Sequence, residues 1–190
     1  MSAVALAAVG EAPETVLERI EAALGSAFAL PVLRLPALDE PRAAYSPARG
    51  QWASPDFLKL LHARLPASAP RLVGITERDL FVPVLSFVYG QAQLGGEAAV
   101  VSLARLRAEF YGLRPDPEAL ARRAATEAVH ELGHTFGLVH CPDRRCPLSL
   151  SLDLSDLDRK TAEPCPRCSA LVEGSLEMKR CRASLEGDRP

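Results

Sequence analysis

The sequence holds no cysteine before Cys141, no block of like charge, and no apolar run approaching the ~18–20 residues that a membrane-spanning helix needs. The first absence leaves most of the chain without a disulfide framework. The last excludes an integral membrane protein of the helical kind. With 22 Lys and Arg against 24 Asp and Glu, the formal net charge is −2, and a general polyanion binder would be more basic. Met1 to Gly10 is apolar but carries no Lys or Arg ahead of its apolar run and meets Glu11 and Pro13 at once, which makes a poor signal peptide. A cytoplasmic location is therefore expected. At 190 residues, 48% hydrophobic and 24% charged, the chain has the composition of one domain with a substantial core.

Periodicity places several elements. Val16, Leu17, Ile20 and Leu24 recur at helical spacing within Pro13 to Ala27, and Phe57, Leu60, Leu61 and Leu65 do so after Ser54-Pro55-Asp56. Ala29 to Leu35, Arg71 to Thr76, Leu85 to Tyr89 and Ala98 to Leu103 read as strands, the last two flanking Gly95-Gly96 as an antiparallel pair. The stretch up to Ser54 and the segment Glu77 to Pro83 read as loops. Asp116 followed by Pro117 is a strong helix start, and the helix it opens is alanine-rich and runs to about Phe136, where Gly137 suits a left-handed stop. A last helix is expected from about Arg167 to Ala183. The chain divides into residues 1–140, with sheet and helices, and a smaller subdomain of residues 141–190.

His130-Glu131-Leu132-Gly133-His134 lies in the second half of that best-marked helix. His130 and His134 are one turn apart and share a face, so their imidazoles can converge on one metal ion. Glu131 sits beside that ion without having to bind it, placed to accept a proton from water that the metal activates. Gly137 turns the chain and His140 follows three residues later as a third ligand, so that three of the four histidines occupy eleven residues. Three imidazoles leave a fourth tetrahedral position open, the arrangement of a catalytic zinc site. The fourth, His62, has no ligand spacing around it and reads as structural.

Cys141, Cys146, Cys165 and Cys168 form C-x4-C and, after 18 residues, C-x2-C. Four thiolates so spaced can close a tetrahedral site around a second zinc, whose role would be to fold a segment with little core of its own. Free or disulfide-bonded cysteines are the plainer reading, and a zinc module that binds nucleic acid is another. Against the latter, residues 141–190 hold nine basic and nine acidic residues and no aromatic, so phosphate attraction and base stacking both lack material. Cys181 stands apart from the cluster.

The string from His130 to Cys168, HELGHTFGLVHCPDRRCPL and then CPRC, resembles the archaemetzincins, metzincin-like zinc metallopeptidases with the pattern HExxHxxGxxHCxxxxCxM followed by CxxC. Ser151, Asp158 and Lys160 also fall where that family has Ser, Asp and Lys, and the resemblance reaches back to Arg71. It implies an α+β fold of metzincin-like zincin architecture, with a mixed sheet, helices and the HExxH active-site helix. It further implies two zinc ions per chain, one catalytic on His130, His134 and His140 and one structural on Cys141, Cys146, Cys165 and Cys168. The implied reaction is peptide-bond hydrolysis with Glu131 as general base, leaning toward short peptides and aminopeptidase action, with no nucleic acid or membrane partner. Two positions depart from the pattern. Leu148 stands where the family has the methionine beneath the catalytic zinc, a nearly volume-conserving change, and Pro164 stands where an aromatic precedes the CxxC.

The resemblance also points to an extended peptide held along an edge strand, for which Phe87 to Ala92 or the strand after Gly95-Gly96 are candidates. Tyr89 or a nearby Arg are candidate second proton donors that nothing in the sequence selects between. The competing reading is a zinc-stabilised protein that holds peptides or partners without cutting them.

Overall fold

The computed structural model describes the backbone of residues 3–187 and the side chains of residues 3–176, so Cys181 lies outside the described side chains. In chain order the elements are β1 (Val4–Ala8), α1 (Glu14–Phe28), β2 (Val32–Arg34), β3 (Tyr45–Ser46), β4 (Gln51–Ala53), α2 (Ser54–His62), β5 (Leu72–Thr76), β6 (Leu80–Phe81), β7 (Gly90–Ala92), β8 (Ala98–Ser102), α3 (Pro117–Thr135), α4 (Leu154–Arg159) and α5 (Pro166–Gly187). Among the described residues no helix is long and apolar enough to cross a membrane.

The main sheet has the order β2-β1-β5-β8-β7, with every neighbouring pair parallel except the edge strand β7, which runs antiparallel to β8. Both faces are covered. Val4, Leu6, Val73, Ile75, Ala99 and Val101 point to α1 and α3, whereas Ala5, Ala7, Leu72, Ala98 and Val100 point to the side of α2. Burial on two faces is why these strands read as continuous apolar runs instead of alternating. The helix α3 can lie close because Ala121, Ala124, Ala125 and Ala128 face the core. Its start is capped by the Asp116 carboxylate, which accepts from the Ala119 N–H at 2.9 Å. At its other end Phe136 stacks on Phe28 of α1 with ring centroids 5.0 Å apart, and the buried Arg71 guanidinium lies over the same ring while donating to the Thr135 carbonyl. The chain from Cys141 onward joins the same core, with Cys146, Leu148, Leu157, Cys168 and Val172 in one cluster with α1 and α3.

The helices α1, α2, α3 and α5 and the β5 and β8 strands fall where the sequence places them, whereas the short helix α4 was not expected. The segment Leu85 to Tyr89 does not form a strand: the edge strand begins only at Gly90, and Val84 and Leu85 are exposed. Side chains take the hydrogen bonds a neighbouring strand would have made, since Arg49 donates to the Leu85 carbonyl at 2.8 Å and Gln51 to the Ser86 carbonyl at 3.0 Å. Pro83, which has no N–H, precedes this stretch. Two regions expected to be loops contribute instead to a small sheet of order β3-β4-β6, whose strands are two or three residues long. The apolar stretch before Gly10 is β1, second in the main sheet and buried throughout.

Candidate metal centres

The last two turns of α3 carry His130, Glu131 and His134 toward a cavity of about 550 Å³ bounded by β7 on one side and by Leu150 to Leu152 on another. His130 donates from Nδ1 to the Pro147 carbonyl at 2.8 Å, and His134 from Nδ1 to the Leu138 carbonyl at 2.7 Å. A carbonyl can only accept, so each ring carries its proton on Nδ1 and presents a lone pair at Nε2. The two Nε2 atoms face each other at 3.0 Å. Gly137, at φ 88°, takes a conformation that a side chain would strain, and the reversal it permits returns His140 to within 5.3 Å of the His130 ring and 5.2 Å of the His134 ring, centroid to centroid. The three donor nitrogens lie within 4.8 Å of one another. Tetrahedral zinc with bonds near 2.0–2.1 Å sets its nitrogens about 3.3 Å apart, so these side chains fit it with small rotations. Burial, and then the neighbouring His134, push His130 down to about 3, and burial also lowers His140, so both rings are held in the neutral form that binds metal.

Glu131 is buried in the wall of the same cavity. Its carboxylate occupies space that a side chain on β7 would fill: a Cβ added at Gly90 would stand 2.6 Å from Glu131 Oε1. One turn earlier on α3, Glu127 is equally buried and lines the same cavity. Without a metal cation beside them, burial, then the Glu127 charge, raise Glu131 well above the usual carboxylate range, and burial raises Glu127 to about 7 against the pull of the Lys160 ammonium; a cation held by the three histidines would favour the ionised form of Glu131. Sequence reading passes over Glu127, although its position four residues before Glu131 on a helix was a signal available in the chain.

Leu148 is fully buried beneath α3. A Cβ added at Gly133 would lie 2.6 Å from Leu148 Cδ1, so this glycine sets how closely the metal-bearing helix rests on the turn below it. Gly133→Ala is expected to destabilise the chain by about 1–3 kcal/mol through overpacking, read as a lower midpoint in denaturant unfolding; an unchanged midpoint would show that Leu148 can yield.

The second cluster is built from two chain segments. Cys141 N–H donates to the Leu148 carbonyl at 2.9 Å and Cys146 N–H to the Asp143 carbonyl at 3.1 Å, closing a tight loop that presents two thiols. Cys165 and Cys168 flank the first turn of α5, where a hydrogen bond from the Cys168 backbone lowers the Cys165 thiol. All four sulfurs lie within 4.8 Å of one another, Cys141 and Cys165 at 3.8 Å, and all four thiols are free. Zinc–thiolate bonds near 2.3 Å in a tetrahedron place sulfurs about 3.8 Å apart, whereas a disulfide needs about 2.05 Å. The cluster thus fits a metal and not a disulfide.

The structure gathers all seven residues singled out as ligands, in two groups. His62 stands apart on α2, exposed and 3.2 Å from Glu97. Of the two edge candidates, β8 is internal to the sheet and β7 is the edge that lines the cavity. Tyr89 is buried beside β7 at the cavity wall, and burial raises its hydroxyl.

Comparison with known proteins bears directly on this site. A family model described as Peptidase family M54 matches residues 68–174. The archaemetzincin of Methanocaldococcus jannaschii is 41% identical over 160 residues, covering 84% of this chain and 87% of that protein. The crystal structure of an archaemetzincin from Methanopyrus kandleri superposes with a TM-score of 0.81 at 38% identity, covering 92% of this chain and 96% of the other. That of a zinc-dependent peptidase from Methanocorpusculum labreanum does so at 0.80 and 28% identity, covering 89% and 99%.

Proposed function

Since this chain belongs to peptidase family M54, the archaemetzincins, and is accordingly a zinc metallopeptidase acting on peptides, we propose that His130, His134 and His140 hold its catalytic zinc, that Glu131 is the general base, and that Cys141, Cys146, Cys165 and Cys168 hold a second, structural zinc. The observation that carries this reading is the placement of a buried carboxylate beside three converging imidazoles at the wall of an open cleft. The four thiols, by contrast, have every tetrahedral position supplied by protein, which suits a folding role.

A zinc ion held by His130, His134 and His140 would supply Lewis acidity, which lowers the pKa of water to about 7 and polarises a carbonyl. Glu131 accepts a proton as water attacks the carbonyl carbon, and returns it to the amine of the departing peptide as the C–N bond breaks. The free side of β7, at Gly90, Gln91 and Ala92, offers the unpaired edge along which an extended peptide can add as a further strand. Leu85, Phe87, Leu150 and Leu152 line the same cleft and favour apolar substrate side chains near the cut.

Aminopeptidase action is the narrower form of the proposal. Besides Glu131, the cleft lining contains one further carboxyl group among the described residues, that of Glu127, as a partner for a substrate α-ammonium. Matched short peptides with free and acetylated N-termini test this. Cleavage confined to the free forms, one residue from the end, supports it; equal cleavage of both would make the enzyme an endopeptidase.

A further inference from the structure

Lys160 is a charged side chain that the chemistry above does not use, yet it is only 4% exposed. Its ammonium donates to two backbone carbonyls, those of Pro147 at 3.4 Å and of Ser149. The Pro147 oxygen is the same atom that accepts the Nδ1–H of His130 at 2.8 Å. One carbonyl thus spends its two lone pairs on the ring of a candidate zinc ligand and on a buried ammonium. Desolvating an ammonium is costly, and an apolar side chain would fill the space at lower cost. Packing alone therefore leaves the lysine unexplained.

The strut is anchored at both ends. Lys160 closes α4, and α4 is clamped to α3 by Asp158, which accepts from Arg123 Nε at 2.8 Å and Nη2 at 2.7 Å. Pro147 lies between Cys146, a member of the four-thiol cluster, and Leu148, the buried floor beneath Gly133. We propose that Lys160 is a positioning residue for the three-histidine site: by fixing the Pro147 carbonyl it sets the orientation and tautomer of His130, and through the Cys146–Pro147 peptide it makes that orientation depend on the four-cysteine cluster. The inference rests on the ligand assignment proposed above. Hydrogen-bond partners of metal-binding histidines commonly govern metal affinity in this way.

The test is Lys160→Met in the full chain, with the histidine site emptied by a mild chelator and titrated with Co2+. The Co2+ affinity is expected to fall about 10–100-fold, with a changed d–d absorption, while the four thiols keep their zinc and the circular dichroism spectrum is retained. An affinity within about twofold of the unaltered protein overturns the proposal, and so does simultaneous loss of the thiol-bound zinc, which would make Lys160 a residue of the fold alone. Failure of the unaltered protein to bind Co2+ at the histidines would refute the ligand assignment instead. Should the variant not fold, the unaltered chain carries the test, with Cd2+ exchanged into the thiol site and Co2+ among the histidines. The Co2+ spectrum is expected to differ from that with Zn2+ at the thiols, and an identical spectrum overturns the coupling.

Discussion

Glu131→Gln is expected to lower peptide hydrolysis by about 10²–10⁴-fold, the range that removal of a general base commonly costs, while both zinc ions stay bound. The substitution keeps the size of the side chain, so the close approach of Gly90 to its carboxyl group is undisturbed. It removes only the capacity to take up a proton, since an amide accepts none at neutral pH. Glu131 is absent from the set of converging nitrogens, so metal content has no reason to change. Steady-state kcat beside zinc per chain reads both quantities. Unchanged hydrolysis would show that the proton goes elsewhere, and an unaltered protein that binds peptides without cutting them would favour the binding-protein reading.

The second large effect is expected from Cys168→Ser, which should release the thiol-bound zinc and lower the melting temperature by about 8–16 °C, the shift that a loss of about 4 kcal/mol gives in a chain of this length. Among the described residues, the segment after Cys141 buries few large apolar side chains of its own, chiefly Leu148, Leu157 and Val172. Metal binding there is folding free energy, on the order of 10–16 kcal/mol for small zinc modules, against a total stability of about 5–15 kcal/mol for a typical domain. Three remaining thiols recover part of this, which is why a partial loss is expected and not complete unfolding. Thermal melts with metal analysis decide the matter, and a variant that keeps two zinc ions and its melting temperature would remove the cluster from the account.

Both clusters were legible in the chain because their geometry is local. Two histidines one turn apart on a well-capped helix, a glycine three residues on and a third histidine after it leave little to tertiary structure. The cysteine pairs were legible for the same reason, each pair sitting within one short loop or turn. What escaped the sequence is what packing creates. Gly90 matters because α3 brings Glu131 against it, and Lys160 because α4 docks beneath α3; no spacing announces either contact. β1 is alanine-rich and gains its extended form from pairing with β2 and β5 on either side, a tertiary effect that outweighs intrinsic propensity. The strands β3, β4 and β6 are too short to show a period at all.

The central claim is an open catalytic metal site beside a closed structural one. Zinc per chain, measured on protein purified without a histidine tag before and after mild chelation and with peptide cleavage followed in parallel, tests it most directly. Two zinc ions are expected, one readily removed with loss of cleavage that returns when zinc is restored, and one retained by the thiols. A single zinc or none, or cleavage that persists once the labile ion is gone, would contradict it.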